Sequence, residues 1–159
     1  MITNRDLACI GLETGCVCPL REGPVRGAWL WERRPARTAS RAPLRRLVHR
    51  WTRVAVADEE VGESIVLAVD EAVGNVVEHA YRGAVGEVGA VSVLALPRPC
   101  GHGVGVVVED QGLWSAPAAD PGLGGRGLAL IDELADHHSL TTSAAGTTVR
   151  MCWRTLVRA

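Results

Sequence analysis

Three polar residues stand at four-residue intervals in an otherwise apolar stretch: Glu71, Asn75 and His79. On an α-helix, successive members of such a row drift by only about 40°, so all three share one stripe. Val61, Ile65, Ala68, Val69, Ala72, Val76 and Ala80 form a broad apolar stripe beside it. A carboxylate, an amide and an imidazole at the edge of a core need partners. An Asn beside a Glu suits a hydrated Mg²⁺ that takes one protein oxygen and shares phosphate oxygens. The carboxylate can then act as a base or position a water. The same row also fits the exposed polar rim of an amphipathic helix.

Three further groups carry chemistry. Glu109-Asp110-Gln111-Gly112 closes an apolar run. There a carboxylate can accept a hydrogen bond from a ligand amino group, and Gly lets the ligand come close; a plain strand-to-turn motif reads the same way. Gly122-Leu123-Gly124-Gly125-Arg126-Gly127-Leu128 opens a helix. Free N–H groups and a positive dipole end make an anion site there, with Arg126 as a charged clamp. A flexible linker is the alternative, and the Arg among the glycines favours the anion site. Gly146-Thr147-Thr148-Val149 enters a β-run and by itself reads as a hairpin turn.

These groups need elements to position them. Periodicity predicts helices over 40–57, with Pro43 in the first turn, over 58–81 and over 128–136. In the first, Leu44, Leu47, Val48, Trp51 and Val54 make the apolar stripe. Strands are expected over 28–32, 88–96, 104–109, 139–143 and 147–156. The Gly- and Pro-rich stretch 112–127 is a long loop, and loops of that length are usually functional. Hairpins with grouped helices point to an α+β two-layer sandwich, a mixed, mostly antiparallel sheet with helices on one face. The expected organisation is an N-terminal extension, 1–26, and one domain, 27–159.

Composition excludes whole classes. All 17 basic residues are Arg. Without Lys the chain cannot build a Gly-Lys-Ser/Thr phosphate loop, the strand lysine of ordinary protein kinases or a Schiff base. Residues 1–57 hold 11 Arg against 4 acids, and residues 58–159 hold 6 Arg against 14 acids. The Arg-rich third has no interleaved aromatics or nucleic-acid motif, so a solvated face is favoured over direct nucleic-acid binding. No apolar run is long enough to span a membrane and no secretory signal is visible, which makes the cytoplasm the expected location. The five Cys are expected to be reduced thiols, and Cys16-Val17-Cys18 lacks zinc-site spacing.

Taken in order, the four groups resemble the nucleotide-binding boxes of the GHKL (Bergerat) ATPase superfamily. The closest resemblance is to bacterial anti-sigma factor serine/threonine kinases, over about residues 28–157, with His79-Ala80-Tyr81 closing the first box. The resemblance implies ATP and Mg²⁺ as cofactors. It makes Asn75 the Mg²⁺ ligand, Glu71 the base for a substrate hydroxyl and Asp110 the acceptor for the adenine amino group. His79, Gly112 and Leu128 belong to the same nucleotide-binding boxes. Gly124, Gly125, Arg126 and Gly127 would hold phosphates, 112–123 would be a lid, and Thr147 or Thr148 would lie near adenine. Implied partners are an anti-anti-sigma protein, a sigma factor and a second copy of the chain. A module that binds nucleotide and a sigma factor without phosphotransfer is the alternative. The extension with Cys16 and Cys18 and the short lid with Pro117 and Pro121 depart from the family pattern, and Arg and Trp residues within 45–53 offer a partner surface.

Overall fold

The computed structural model describes residues 27–81, 89–98, 102–113 and 126–158. The chain runs β1 (Leu30–Pro35), α1 (Thr38–Ala55), α2 (Glu59–Asn75), a π-helical turn (Val76–Ala80), β2 (Ala90–Pro97), β3 (Val104–Asp110), α3 (Arg126–Leu134), β4 (His137–Ser143) and β5 (Gly146–Trp153). The five strands form one sheet in the order β1-β2-β3-β5-β4, and every pair is antiparallel. The fold is α+β, as the hairpin pattern predicts.

Strand alternation builds the core. Val91 and Val93 of β2, Val106 and Val108 of β3, and Val149 and Met151 of β5 point to one face. There they meet Leu44 and Val48 of α1, Ile65 and Val69 of α2, and Ile131 of α3. With no Phe in the chain, branched aliphatics fill the space between the layers.

Asp58 starts α2 by accepting hydrogen bonds from the backbone N–H groups of Glu60 (2.9 Å) and Val61 (3.2 Å). Glu59 and Glu60 follow in the first turn, where the helix dipole favours acids. The expected α-helix over 58–81 ends at Asn75, and its last turn widens into the π-helical segment. Tyr81 fixes the end of that segment. Its hydroxyl donates to Ala90 O (2.7 Å) and accepts from Ala90 N (3.1 Å) and Gln111 N (2.9 Å). Three backbone anchors on β2 and beyond β3 thus set where the helix must deliver its final residue. Extra width per turn is how a helix absorbs such a demand.

Other boundaries shift for local reasons. The first helix starts at Thr38, so Pro43 lies inside it and not in the first turn, and Ala39 loses an intrahelical donor. Val54 leaves the expected apolar stripe and is exposed. Trp51 is buried, with its indole N–H on Ala28 O (3.0 Å), so it offers no partner surface. The first strand lies over Leu30–Pro35 and not 28–32, because it pairs with β2 from Ala95 to Ala90. The last strand ends at Trp153. Beyond it the chain crosses to the link between α1 and α2, where Val157 bridges Val56 and Arg158 Nε donates to Val56 O (2.8 Å).

Candidate functional site

The site lies where the C-terminal end of α2 meets the ends of β3 and β5 and the start of α3. Because β5 neighbours β3, the turn into β5 sets Thr147 next to Asp110. A cleft of about 400 Å³, counting its open mouth, is lined by Asn75, His79, Asp110, Leu128 and Thr147 over an apolar floor of Ala72, Val76, Val108 and Val149. Leu113, 71% exposed, stands at the mouth. An apolar floor with a few polar groups suits a flat heterocycle.

Asp110 is only 7% exposed. Its Oδ1 accepts from the Gly112 N–H at 2.8 Å. Burial raises its carboxyl above the usual carboxylate range, and the Gly112 N–H together with the Thr147 N–H and hydroxyl opposes that rise. The Thr147 hydroxyl stops short of hydrogen-bond geometry with any protein group, so Thr147 Oγ1 is buried and unpaired in the cleft wall. A buried carboxylate beside an unpaired hydroxyl offers a ligand both an acceptor and a donor. This pair fits an adenine-type amino group and ring nitrogen.

Gly112 approaches so closely that a Cβ there would overlap the Ala80 carbonyl. The same carbonyl accepts from the Leu113 N–H (2.9 Å). The chain leaving β3 is therefore stapled to the π-helical turn that carries His79. The imidazole of His79 faces Glu78, with Nε2 at 3.9 Å from its carboxylate.

Helix α3 closes the other side. A Cβ at Gly127 would overlap Glu71 Oε1 and lie 3.0 Å from Asn75 Nδ2. The missing side chain lets the first turn of α3 come against these two residues without displacing the Glu71 carboxylate. Glu71, Asn75 and His79 are all half-buried, but Asn75 and His79 line the cleft and Glu71 does not. Thr148 points to the opposite side of the sheet from Thr147, by strand alternation, and is not in the lining. Gly124, Gly125 and the side chain of Arg126 lie outside the described residues, as does most of the expected lid.

Sequence reasoning missed Arg41. Its guanidinium lies flat on the backbone at Gly74, bonds Asp70 through Nε (3.1 Å) and Nη2 (3.2 Å), and faces Glu78 at 3.7 Å. The hydrogen bonds to Asp70 are the main cause that raises its pKa. Arg41 was legible only as one of many arginines on its helix. The apolar floor was more accessible, since Val108 and Val149 follow from alternation with Asp110 and Thr147.

Among the described residues no helix is long and apolar enough to cross a membrane, and no cluster of His, Cys, Asp or Glu could hold a metal by itself. A family profile described as histidine kinase-like ATPase domain matches residues 34–153. The RsbU and RsbW domains of Rv1364c from Mycobacterium tuberculosis superpose with a TM-score of 0.64 at 25% identity, over 83% of this chain and 33% of that one. The histidine kinase domain of the blue-light activated histidine kinase from Erythrobacter litoralis EL346 shares the fold, with a TM-score of 0.50 at 24% identity over 60% of this chain and 45% of that one. The chain thus spans about a third and under half of these two. No curated protein matches the sequence. With five antiparallel strands, helices on one face and a cleft at the end of the central strand, the chain belongs to the histidine kinase-like ATPase domain family, of the GHKL type.

Proposed function

We propose that this chain is an ATP-dependent serine/threonine protein kinase of the anti-sigma type. It would phosphorylate an anti-anti-sigma protein, hold a sigma factor as its second partner, act in the cytoplasm and pair as a homodimer. The observation that carries the reading is the meeting of Glu71 and Asn75 with Gly127 at the edge of a cleft whose far end is Asp110 and Thr147. The likeness to a protein with an RsbW domain supports the anti-sigma assignment.

In this reading Asp110 and Thr147 hold the adenine edge. Asn75 gives its amide oxygen to Mg²⁺. His79, Leu128 and the segment Gly124, Gly125, Arg126 and Gly127 secure the phosphates, aided by the N–H groups that open α3. Gly112 allows the close approach at the base, and Thr148 supports Thr147 from the far side of the strand. Bound Mg·ATP supplies the γ-phosphoryl group to a protein hydroxyl and leaves as ADP. Glu71 takes the proton of that hydroxyl. A chain without Lys relies for this on a metal, a helix N-terminus and Arg.

The test is phosphotransfer from γ-labelled Mg·ATP to purified candidate antagonists. Wild type yields phosphoserine or phosphothreonine, and Glu71→Gln lowers the rate by about 10² or more while nucleotide affinity holds. Nucleotide binding without transfer to any partner would instead identify a regulatory binding module.

A further inference from the structure

We infer that residues 1–26 lie across the face of the sheet that carries no helix and close it from within the same chain. The inference is independent of the phosphotransfer reading.

Strand register assigns the residues of that face. One row across the middle strands is Leu94, Val107 and Arg150, and the next row toward the β2–β3 turn is Leu96, Gly105 and Cys152. An antiparallel sheet with helices on one side commonly leaves its other side wet. Here the middle of that side is dry: Leu96 is 4% exposed, Val107 8% and Cys152 3%. Gly105, between Leu96 and Cys152, has no side chain to shield either, so the shielding comes from above the sheet. On the same face Trp31 of β1 and His137 of β4 stay exposed, so the cover runs over β2, β3 and β5 and stops short of both edges.

Among the described residues, all three helices and Val157 of the C-terminal stretch pack against the opposite face. The burial is complete within one chain. Of the remaining segments, 82–88 and 114–125 attach at the Ala90 and Asp110 end of the sheet, and 99–101 belongs to the short β2–β3 turn. Residues 1–26 attach at the Leu96 end. Gly27 fixes that point of entry: its φ is +111°, and a Cβ there would lie 2.9 Å from Pro97 Cγ. Extended, 26 residues reach up to about 85 Å, against a sheet about 20 Å wide. The chemistry matches as well. Leu7, Ile10, Leu12, Val17 and Leu20 bring apolar side chains to Leu96 and Val107. Arg98, just past β2, is also buried, and a buried guanidinium calls for a carboxylate of the kind that Asp6, Glu13 and Glu22 offer. While seated, the segment keeps this face closed to a second copy or to another protein.

The experiment uses the full chain and follows alkylation of Cys152 by iodoacetamide, read by peptide mass spectrometry. In the folded wild type the rate is expected to lie about tenfold or more below that in urea. Leu7→Ser, Ile10→Ser, Leu12→Ser and Val17→Ser together strip the segment of apolar side chains and change no described residue. They are expected to raise the folded-state rate about tenfold with the circular dichroism unchanged; pairs of these substitutions serve where the fourfold variant fails to fold. A wild-type Cys152 that reacts at the unfolded rate overturns the proposal, since nothing then covers the face. Protection that survives in the folded variants overturns residues 1–26 as the cover. Protection that fades on dilution, in step with loss of a dimer in sedimentation, assigns the face to a second copy and overturns the proposal too. No phosphotransfer enters the measurement, so each of these failures leaves the kinase reading standing.

Discussion

The backbone of Gly127 rests against the carboxylate of Glu71, so close that any side chain at 127 would occupy the position of Glu71 Oε1. The contact ties the start of α3 to the middle of the stripe that also carries Asn75. Gly127→Ala must push the carboxylate or the helix by about an ångström. Misplacement on that scale costs on the order of 10² in rate. The expected outcome in a phosphotransfer assay is a loss of that size in kcat, with ATP affinity in calorimetry falling less than tenfold. Full activity in the alanine variant would remove Glu71 from the reaction.

Asn75→Ala tests the metal assignment. If the Asn75 amide holds Mg²⁺, wild type binds ATP more tightly with Mg²⁺ than with EDTA, and the variant loses that difference, about tenfold or more. Isothermal titration in the two buffers gives both numbers. A variant that keeps the full Mg²⁺ response would reassign the ligand.

Asp110 predicts opposite pH trends for stability and binding. Its carboxyl titrates above the usual range, mainly through burial. The folded state therefore holds that proton more tightly than the unfolded chain. Its contribution to stability is greatest below the ordinary carboxylate value and is lost as pH rises through the raised one. Urea unfolding across that interval should show wild type losing stability relative to Asp110→Asn. Adenine nucleotide affinity should run the other way, since the ionised carboxylate is the acceptor, and fall as pH drops below the raised value. Parallel curves for wild type and Asn variant would refute the assignment.

Thr147→Val separates folding from binding. The Thr147 hydroxyl is buried without a partner of full hydrogen-bond geometry and only helps to favour the Asp110 carboxylate, so an isosteric apolar side chain changes stability by no more than about 1 kcal/mol in either direction. Nucleotide affinity should fall by about tenfold if the hydroxyl serves the ligand. A thermal melt with and without ATP reads both effects at once.

Tyr81→Phe removes the hydroxyl that serves Ala90 N, Ala90 O and Gln111 N. The expected loss is about 1–3 kcal/mol, because backbone groups near the cleft are left unpaired. The urea midpoint should fall without a change in slope.

Much of this arrangement was legible in the sequence, and the illegible parts share a cause. Spacing alone placed Glu71 and Asn75 on one face of a helix, because both lie within regular α-geometry. It failed at 76–80, where the π-helical turn answers to Tyr81 and its distant anchors on Ala90 and Gln111. The resemblance offered Thr147 or Thr148, and the alternation of the last strand, itself legible in the sequence, sends them to opposite faces. Arg41 was invisible as a site neighbour, since its link to Asp70 spans 29 residues and depends on two helices packing side by side. Val54 misled the periodicity because the chain leaves α1 at Ala55 and no layer lies over it. Local pattern reads local geometry, and each miss belongs to a contact between segments distant in the chain.

The bond from the Trp153 indole to Leu134 O, 2.7 Å long, has a mechanical corollary. It pins α3 at the end remote from Gly127, and the helix becomes a lever with its fulcrum at Leu134. The arm from there to Gly127 is roughly 10 Å. A tilt of about 5° then carries the tip through about 1 Å, enough to bring a reacting pair into or out of register. Any rotation of this short rod about the tryptophan would be read as a larger displacement at the carboxylate, and the burial of Ile131 midway along it resists that rotation.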